Sequence, residues 1–160
     1  MTVEHIIGFC FQGMLDYIQQ FIDQEIPIAR KMGIKVNSYL PTRIALDIPL
    51  QANRNHLHTA FGGSIYSGLV LTGCCLLIGN LRANDLAGDV VIQRGEVEYY
   101  KPINDDFEVV CALVDMAQIS SFLDRFARKG KAEIMLNSTI RVRNELLAEF
   151  TGKYVVLANH

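Results

Sequence analysis

Residues 55–67, NHLHTAFGGSIYS, include residue types that can hold a carbonyl group. Gly62 and Gly63 stand before a long uncharged segment, and a helix that begins there presents unpaired backbone N–H groups at its positive end. Because glycine has no side chain, a carbonyl oxygen can come within hydrogen-bonding distance of those groups, as in an oxyanion hole. Taken alone, such a pair more often only turns the chain and packs closely, so the rest of the sequence must decide.

The composition limits the classes of partner. The 160 residues correspond to about one domain, so we expect a single domain over residues 1–160. Lys and Arg number 15 against 17 Asp and Glu, with no basic cluster, which argues against nucleic acid and favours a small-molecule partner. The four cysteines form no CxxC pattern and the chain starts without a signal-sequence pattern, so we expect a reducing, cytoplasmic setting.

Two segments have a helical pattern. An N-terminal helical segment is predicted over about 12–33, with an amphipathic helix followed by a shorter one that begins at Pro27. A central helix is predicted over about 63–81, where no charged residue occurs and apolar residues lie on nearly all sides. Polar residues and glycines interrupt this apolar segment, so its length is at or below the ~20 residues that a bilayer span requires. We therefore expect a helix buried in protein and no membrane span.

Strand patterns account for much of the remaining chain. Apolar residues alternate with polar ones in five segments, at 38–50, 90–103, 107–115, 131–143 and 146–157. Asn144 and Glu145 are predicted to form the turn between the last two. Residues 118–129 fit either a short helix or an ordered loop. A helix that is apolar all round must be surrounded, so we expect an α+β fold in which an antiparallel sheet covers the central helix.

Asn55 followed by His58, Phe61 and the glycine pair resembles the loop and central-helix signature of acyl thioesterases with the hot dog fold. The resemblance implies an antiparallel β-sheet wrapped around one long central helix. It also implies hydrolysis of an acyl-CoA or acyl-carrier-protein thioester. Coenzyme A or phosphopantetheine would then be part of the substrate, with no separate cofactor, and the chain would form a homodimer or a tetramer built from it.

Two further segments carry the same resemblance. YYKPI (99–103) and GKAEIMLNSTIRV (130–142) are similar to strands of that superfamily. The likeness runs from about Pro27 to Leu157 and is closest to a thioesterase domain that in some bacteria is fused behind an acetyltransferase.

The resemblance assigns roles to residues of the glycine-pair stretch. Gly63 would hold the thioester carbonyl through its N–H group, while Asn55 or His58 would orient or deprotonate the attacking water. The residues expected to contact substrate are Phe61, Gly62, Ser64 and Ser67. Each polar residue also has a structural interpretation. Asn55 can brace its own loop, Ser64 can be the helix N-cap, and Ser67 can be a small packed residue.

Departures from the family pattern keep a second hypothesis open. Where some branches carry a catalytic acid on the central helix, this chain has Val70, and Phe61 stands where another branch has His. A non-catalytic acyl-CoA-binding or regulatory module is therefore the alternative. The missing acid argues against an acyl-carrier dehydratase.

The remaining reactive residues have structural or substrate-binding interpretations. His56 and His58 lack a third metal ligand nearby, so no metal is expected. Cys74 and Cys75 fit inert core thiols, and Glu96 with Glu98 fits a solvated row rather than a catalytic pair. The candidates for binding the substrate's phosphates are Arg54, Arg94, Lys101 and Lys129.

Overall fold

The computed structural model describes residues 3–159, with side chains from Gln12 onward. Four helices and six strands follow one another as α1 (Val3–Glu25), α2 (Pro27–Lys31), β1 (Lys35–Leu40), β2 (Arg43–Ile48), α3 (Gly62–Ala83), β3 (Asp89–Tyr99), β4 (Phe107–Ala112), α4 (Met116–Lys129), β5 (Lys131–Val142) and β6 (Glu145–Leu157). The strands form one antiparallel sheet in the order β1-β2-β4-β5-β6-β3. The α+β architecture is the expected one.

Helix α3 lies against the inner face of the sheet. It is long and apolar enough to cross a bilayer, but 72% of its most apolar 18-residue window is buried inside the protein. Three glycines let neighbouring elements approach its backbone. A Cβ atom at Gly68, Gly73 or Gly79 would lie only 2.4 Å from a side-chain atom on a facing strand. The helix predicted at 63–81 therefore exists as a core element, from Gly62 to Ala83.

The prediction of one strand over 38–50 was wrong. The chain turns at Pro41 and Thr42, so that β1 and β2 form an antiparallel hairpin. The turn reverses the alternation: Tyr39 is buried in the core, whereas Leu40 is 47% exposed. Proline has no N–H for a strand ladder and favours turns, which is why the chain cannot continue straight here.

Three smaller differences have local causes. Residues 118–129 belong to α4, which is long enough to bury Ile119, Phe122 and Phe126. The last hairpin turns at Arg143 and Asn144, both with positive φ, one residue earlier than predicted. The strand predicted at 90–103 ends at Tyr99 and lies at the sheet edge beside β6, away from β4.

Helix α1 covers part of the open side of the curved sheet. The amide group of Gln19 fixes it to the start of β1, donating to the Ile34 carbonyl (3.2 Å) and accepting from the Val36 N–H (2.8 Å). At the far end of α3, the Arg82 guanidinium lies 5.0 Å from the centroid of the Tyr17 ring. Helix α1 therefore lies over the C-terminal half of α3 and leaves the glycine-pair end uncovered.

Candidate active site

Helix α3 begins with N–H groups that find no acceptor among the residues that the structure describes. Phe61 is the N-cap residue, with an extended backbone, and its side chain cannot accept a hydrogen bond. The first helical hydrogen bond runs from the Ile65 N–H to the Phe61 carbonyl, at 2.9 Å. Within residues 3–159, the N–H groups of Gly62, Gly63 and Ser64 have no acceptor. These three donors, with the positive end of α3 behind them, can hold an oxyanion. Ser64 is not the N-cap, so that structural interpretation was wrong.

Asn53 fixes the loop that leads into α3. Its buried side-chain amide donates to the carbonyls of Met32 (2.8 Å) and Pro49 (2.7 Å), and its main-chain carbonyl accepts from the Phe61 N–H (2.7 Å). The Ala60 N–H donates to the Ile103 carbonyl, at 2.8 Å. The start of α3 is thus positioned by backbone contacts. No sequence signal separated Asn53 from the other polar loop residues, because burial of a lone Asn depends on the tertiary contacts around it.

Asn55 braces its own loop. Its side-chain oxygen accepts from the N–H groups of Leu57 (2.8 Å) and Thr59 (3.2 Å), and its amide nitrogen donates to Thr59 Oγ1 (2.9 Å). Both lone pairs of the oxygen are therefore engaged. Asn55 therefore braces its own loop, as the structural interpretation of this residue predicted. One amide N–H of the side chain makes no hydrogen bond within the described residues.

His58 occupies the tip of the same loop in a left-handed conformation. Its φ is +62°, a region that few residues other than glycine adopt easily. The side chain is exposed and makes no hydrogen bond within the described part of the chain.

Two aromatic rings flank the glycine pair. A Cβ atom at Gly63 would lie 2.5 Å from Cε1 of Phe61, so this half-exposed ring stands where a side chain at Gly63 would be. The Tyr99 hydroxyl donates to the Gly62 carbonyl at 2.9 Å. Burial, and then the nearby Tyr66, raises the pKa of Tyr99. Sequence reasoning placed Tyr99 only in the YYKPI strand end. That motif was the available signal for its position at the site.

A half-buried stripe runs along α3 from the glycine pair. Gly63, Ser67, Val70 and Cys74 follow one another at spacings of four, three and four residues and so share one face. The Ser67 hydroxyl donates to the Gly63 carbonyl, at 2.8 Å. Ser67, Val70 and Cys74 line a cavity, which we call the acyl-sized cavity.

The acyl-sized cavity has a volume of about 290 Å³. It is lined by Ile26, Tyr66, Ser67, Val70, Leu71, Cys74, Val90, Val91, Ile92 and Tyr154. No charged side chain is among them, and the Tyr154 hydroxyl donates to the Val70 carbonyl at 2.7 Å. Burial raises the pKa of the Cys74 thiol to about 12, so it stays protonated and is a poor nucleophile at neutral pH. The cavity can hold an apolar chain and supplies no acid or base.

The four basic residues considered for phosphate binding lie in different places. Arg54 and Lys101 are close to the loop, since Arg54 forms a β-bridge with Ala60, but Lys101 is paired with Glu145. Arg94 pairs with Glu96 on β3, so Glu96 belongs to an ion pair and not to a carboxylate pair. Lys129 ends α4, at the other end of the molecule, where Gly130 bonds with Ala158.

The side chains described, from Gln12 to Asn159, contain no group of three or more His, Cys, Asp or Glu residues able to hold a metal ion. The thiols of Cys74, Cys75 and Cys111 are free, and the last two are fully buried.

Solved structures with the same arrangement define the class of protein. A protein of unknown function from Chlorobaculum tepidum is 29% identical, with a TM-score of 0.84 over 90% of this chain and 94% of that one. A protein described as a "putative thioesterase" from Shewanella oneidensis is 26% identical, with a TM-score of 0.81 over 92% and 99%. A thioesterase from Haemophilus influenzae shares the fold at 12% identity, with a TM-score of 0.66 over 90% of each chain. The molecule has the hot dog fold of thioesterases.

The family follows from the sequence match. Residues 15–158 match the family model described as "Putative thioesterase (yiiD_Cterm)". The chain belongs to this family. The match includes the loop, α3 and all six strands, and so contains every element that forms the site.

Proposed function

We propose that the protein is an acyl thioesterase that hydrolyses an acyl-CoA or acyl-carrier-protein thioester in the cytoplasm. The observation that carries the proposal is the set of free N–H groups of Gly62, Gly63 and Ser64 at the start of a stripe that lines an apolar cavity. One end of such a site binds a carbonyl oxygen and the other binds a hydrocarbon chain. Membership of a thioesterase family supports the same reaction.

In the proposed reaction, the thioester carbonyl accepts a hydrogen bond from the Gly63 N–H group. A water molecule attacks the carbonyl carbon, and His58 takes the proton that the water loses. The negative charge on the tetrahedral oxygen is stabilised by the N–H groups and by the helix dipole. The C–S bond then breaks, the sulfur takes the proton from His58, and a carboxylic acid and a thiol leave. Asn55 acts as a positioning residue, because it holds the loop that carries His58.

The thiol end of the substrate is proposed to lie towards Arg54 and Lys101. These are the two basic candidates beside the loop, and Arg54 makes no ion pair within the described residues. Coenzyme A and a carrier-protein phosphopantetheine arm share the phosphate that such residues would bind. Arg54→Ala should raise KM for acyl-CoA more than for acyl-pantetheine without phosphate, at similar kcat.

Hydrolysis is tested by thiol release from a panel of acyl-CoA and acyl-carrier-protein substrates. His58→Asn removes the base but keeps a residue that tolerates positive φ, and a general base is typically worth 10²–10⁴-fold in rate. We expect at least a 100-fold loss in kcat. His56→Asn, at an exposed position two residues earlier, is the matched control. Equal rates in both variants would show that His58 is not the general base. No thiol release by the wild type would contradict the proposed hydrolase activity.

One observation favours the second candidate, an acyl-CoA-binding module without turnover. The acyl-sized cavity has no carboxylate, and Val70 lines it at the position where some family branches carry their acid. The oxygen of Asn55 is committed to the loop. Tight acyl-CoA binding without thiol release, unchanged in Asn55→Ala, would support this function.

We also propose that the chain pairs with a second copy along β3. This strand is hydrogen-bonded to β6 on one side and to no described strand on the other. Val91 and Ile92, which line the cavity, are 46% and 40% exposed. An open edge with apolar side chains favours pairing. Sedimentation equilibrium should give twice the chain mass for the wild type, and Ile92→Lys should shift it to the monomer.

A further inference from the structure

Two cavities of different character lie end to end along α3. The acyl-sized cavity begins beside the glycine-pair end and extends to Cys74. A second cavity, of about 550 Å³, begins at Ile78, one turn further along the same stripe, and Val90 lines both. Unlike the first, the second includes charged side chains, those of Arg82, Asp85 and Asp89. An apolar chain gains from burial in the first cavity and loses that gain where the lining becomes charged.

Three residues from three elements stand at the boundary. Cys74 comes from α3, Val90 from the start of β3, and Ile26 from the junction of α1 and α2. All three are partly buried and pack against the hydrophobic core. Tyr17 and Phe21 of α1 lie beyond them, in the lining of the second cavity. The end of the acyl-sized cavity that faces the second cavity therefore depends on α1 and on the residue at position 74.

The geometry of α3 gives the length of chain that fits between the glycine pair and Cys74. Gly63 and Cys74 are eleven positions apart on α3, which is about 16 Å at a rise of 1.5 Å per residue. The Cys74 side chain leans towards the helix N-terminus and leaves roughly 13 Å. Bonds of about 1.5 Å in a zigzag advance about 1.3 Å per carbon, so about ten carbons fit.

The cavity beside this part of α3 is mostly apolar. Its lining holds no charged side chain, so it offers an acyl chain no partner for a charged substituent.

We infer that the substrate carries an uncharged acyl chain of about ten carbons, and that Cys74, Ile26 and Val90 form the wall that sets this length. The inference rests on the proposed function, because it takes the carbonyl group to lie at Gly63. It names a chemical class, medium-chain acyl thioesters. Longer chains must displace the wall and enter a charged cavity.

The first experiment measures the dissociation constants of free saturated fatty acids with 4 to 16 carbons by calorimetry, together with kcat/KM for the matching acyl-CoA series. The wild type should show an optimum near ten carbons in both. Cys74→Phe adds a ring at the wall and should move the optimum shorter by about three carbons. It should also weaken binding of the ten-carbon acid at least tenfold, since each buried CH₂ is lost.

The matched control is Ile78→Phe, which places the same aromatic ring one helical turn further on, in the second cavity. It should leave the optimum at ten carbons. Ile26→Ala keeps the inference testable if Cys74→Phe does not fold, because it opens the wall from the α1 side. In that variant the optimum should move longer by two or more carbons.

Several results would overturn the inference. A flat wild-type profile from 6 to 16 carbons would do so, as would an unshifted optimum in both wall variants or a shift in Ile78→Phe equal to that in Cys74→Phe. Hydrolysis with a flat profile would end the inference and leave the proposed function standing. A binding optimum that shifts as described, without any thiol release, would contradict the proposed hydrolase activity. It would still support the inference that these three residues limit the chain length.

Discussion

The N-terminus of α4 is capped by a side chain, whereas the N-terminus of α3 is not. In α4, Asp115 is the N-cap residue and accepts a hydrogen bond from the Gln118 N–H at 3.1 Å. The helix ends in Gly130, which adopts a left-handed conformation suited to a C-cap. In α3, Phe61 holds the N-cap position and offers no acceptor. A side chain thus caps the start of α4, whereas no side chain caps the start of α3.

The missing side-chain cap lowers the stability of α3, and contacts from Asn53 compensate for it. A capping side chain is typically worth about 1 kcal/mol, which α3 forgoes. Its start is held instead by the buried Asn53, through contacts to the backbone of Met32, Pro49 and Phe61. These contacts fix the position of the helix start without occupying its N–H groups. On the proposed function, these free donors would bind the thioester carbonyl.

The largest expected effect comes from filling the space at Gly63. An added Cβ atom would lie 2.5 Å from Cε1 of Phe61, so Gly63→Ala must push the ring across the free N–H groups. We expect kcat for thiol release to fall at least 100-fold, the typical loss of an oxyanion-hole donor. The free energy of unfolding should not fall, because Phe61 is exposed enough to move.

Gly62→Ala is the comparison for this prediction. Its added Cβ atom would meet the Tyr99 ring at 3.7 Å, an ordinary contact, so we expect a loss of less than tenfold. Equal losses in the two variants would show that backbone flexibility, and not access to the N–H groups, determines the rate.

The second prediction gives α3 the cap that α4 has. In Phe61→Asp, the extended N-cap backbone lets the carboxylate accept from the free N–H groups. Urea unfolding should show a gain of about 0.5–1 kcal/mol, and turnover should fall at least tenfold below that of Phe61→Ala, which removes the ring without adding a cap. Matching rates in the Asp and Ala variants would mean that the reaction does not use these donors.

The third prediction removes the cap from α4. Asp115→Ala should lower the free energy of unfolding by about 1 kcal/mol and leave thiol release unchanged. Asp124→Ala breaks only an exposed ion pair with Arg128 on the same helix and should cost less than about 0.5 kcal/mol. A change in turnover with Asp115→Ala would contradict the division of roles between the two helix ends.

The smallest expected effect concerns the loop before α3. His58→Gly relieves a left-handed conformation that costs a non-glycine residue about 1–2 kcal/mol, and the greater freedom of glycine in the unfolded chain offsets about 0.5–1 kcal/mol of the gain. A net stabilisation of about 0.5 kcal/mol should appear in thermal and urea unfolding. His56 lies outside the positive-φ residues, so His56→Gly should be destabilising; the same sign in both would refute the explanation.

The sequence contained enough local information to predict α3 and the last hairpin. The uncharged run around Gly68 and Gly73, interrupted by polar residues and glycines, favoured a buried helix, and the alternation in β5 placed Ile134 and Leu136 on the core side, where both are buried. These predictions depended on patterns within one element. They were confirmed because the core imposes the same periodicity along the whole element.

The predictions that were wrong depended on contacts between elements or on turns. The alternation of hydrophobic residues continued through Pro41, and it hid the hairpin that places Tyr39 inside and Leu40 outside. The edge position of β3 follows from its pairing with β6, which no local pattern encodes. At the site, the glycine pair was visible in the sequence, but the role of Asn53 in fixing it required the fold.

Helix α1 is attached at one end of the molecule while the free donors of α3 stand at the other. Its attachment depends on Ile18 and Ile22, which are fully buried in the core, and on Gln19, whose two hydrogen bonds go to backbone groups. Substitutions at Tyr17 and Phe21, which line the second cavity, would leave these contacts and the reacting end in place. On the proposed function, related proteins could therefore change the substrates that they bind without changing the reaction at the glycine pair.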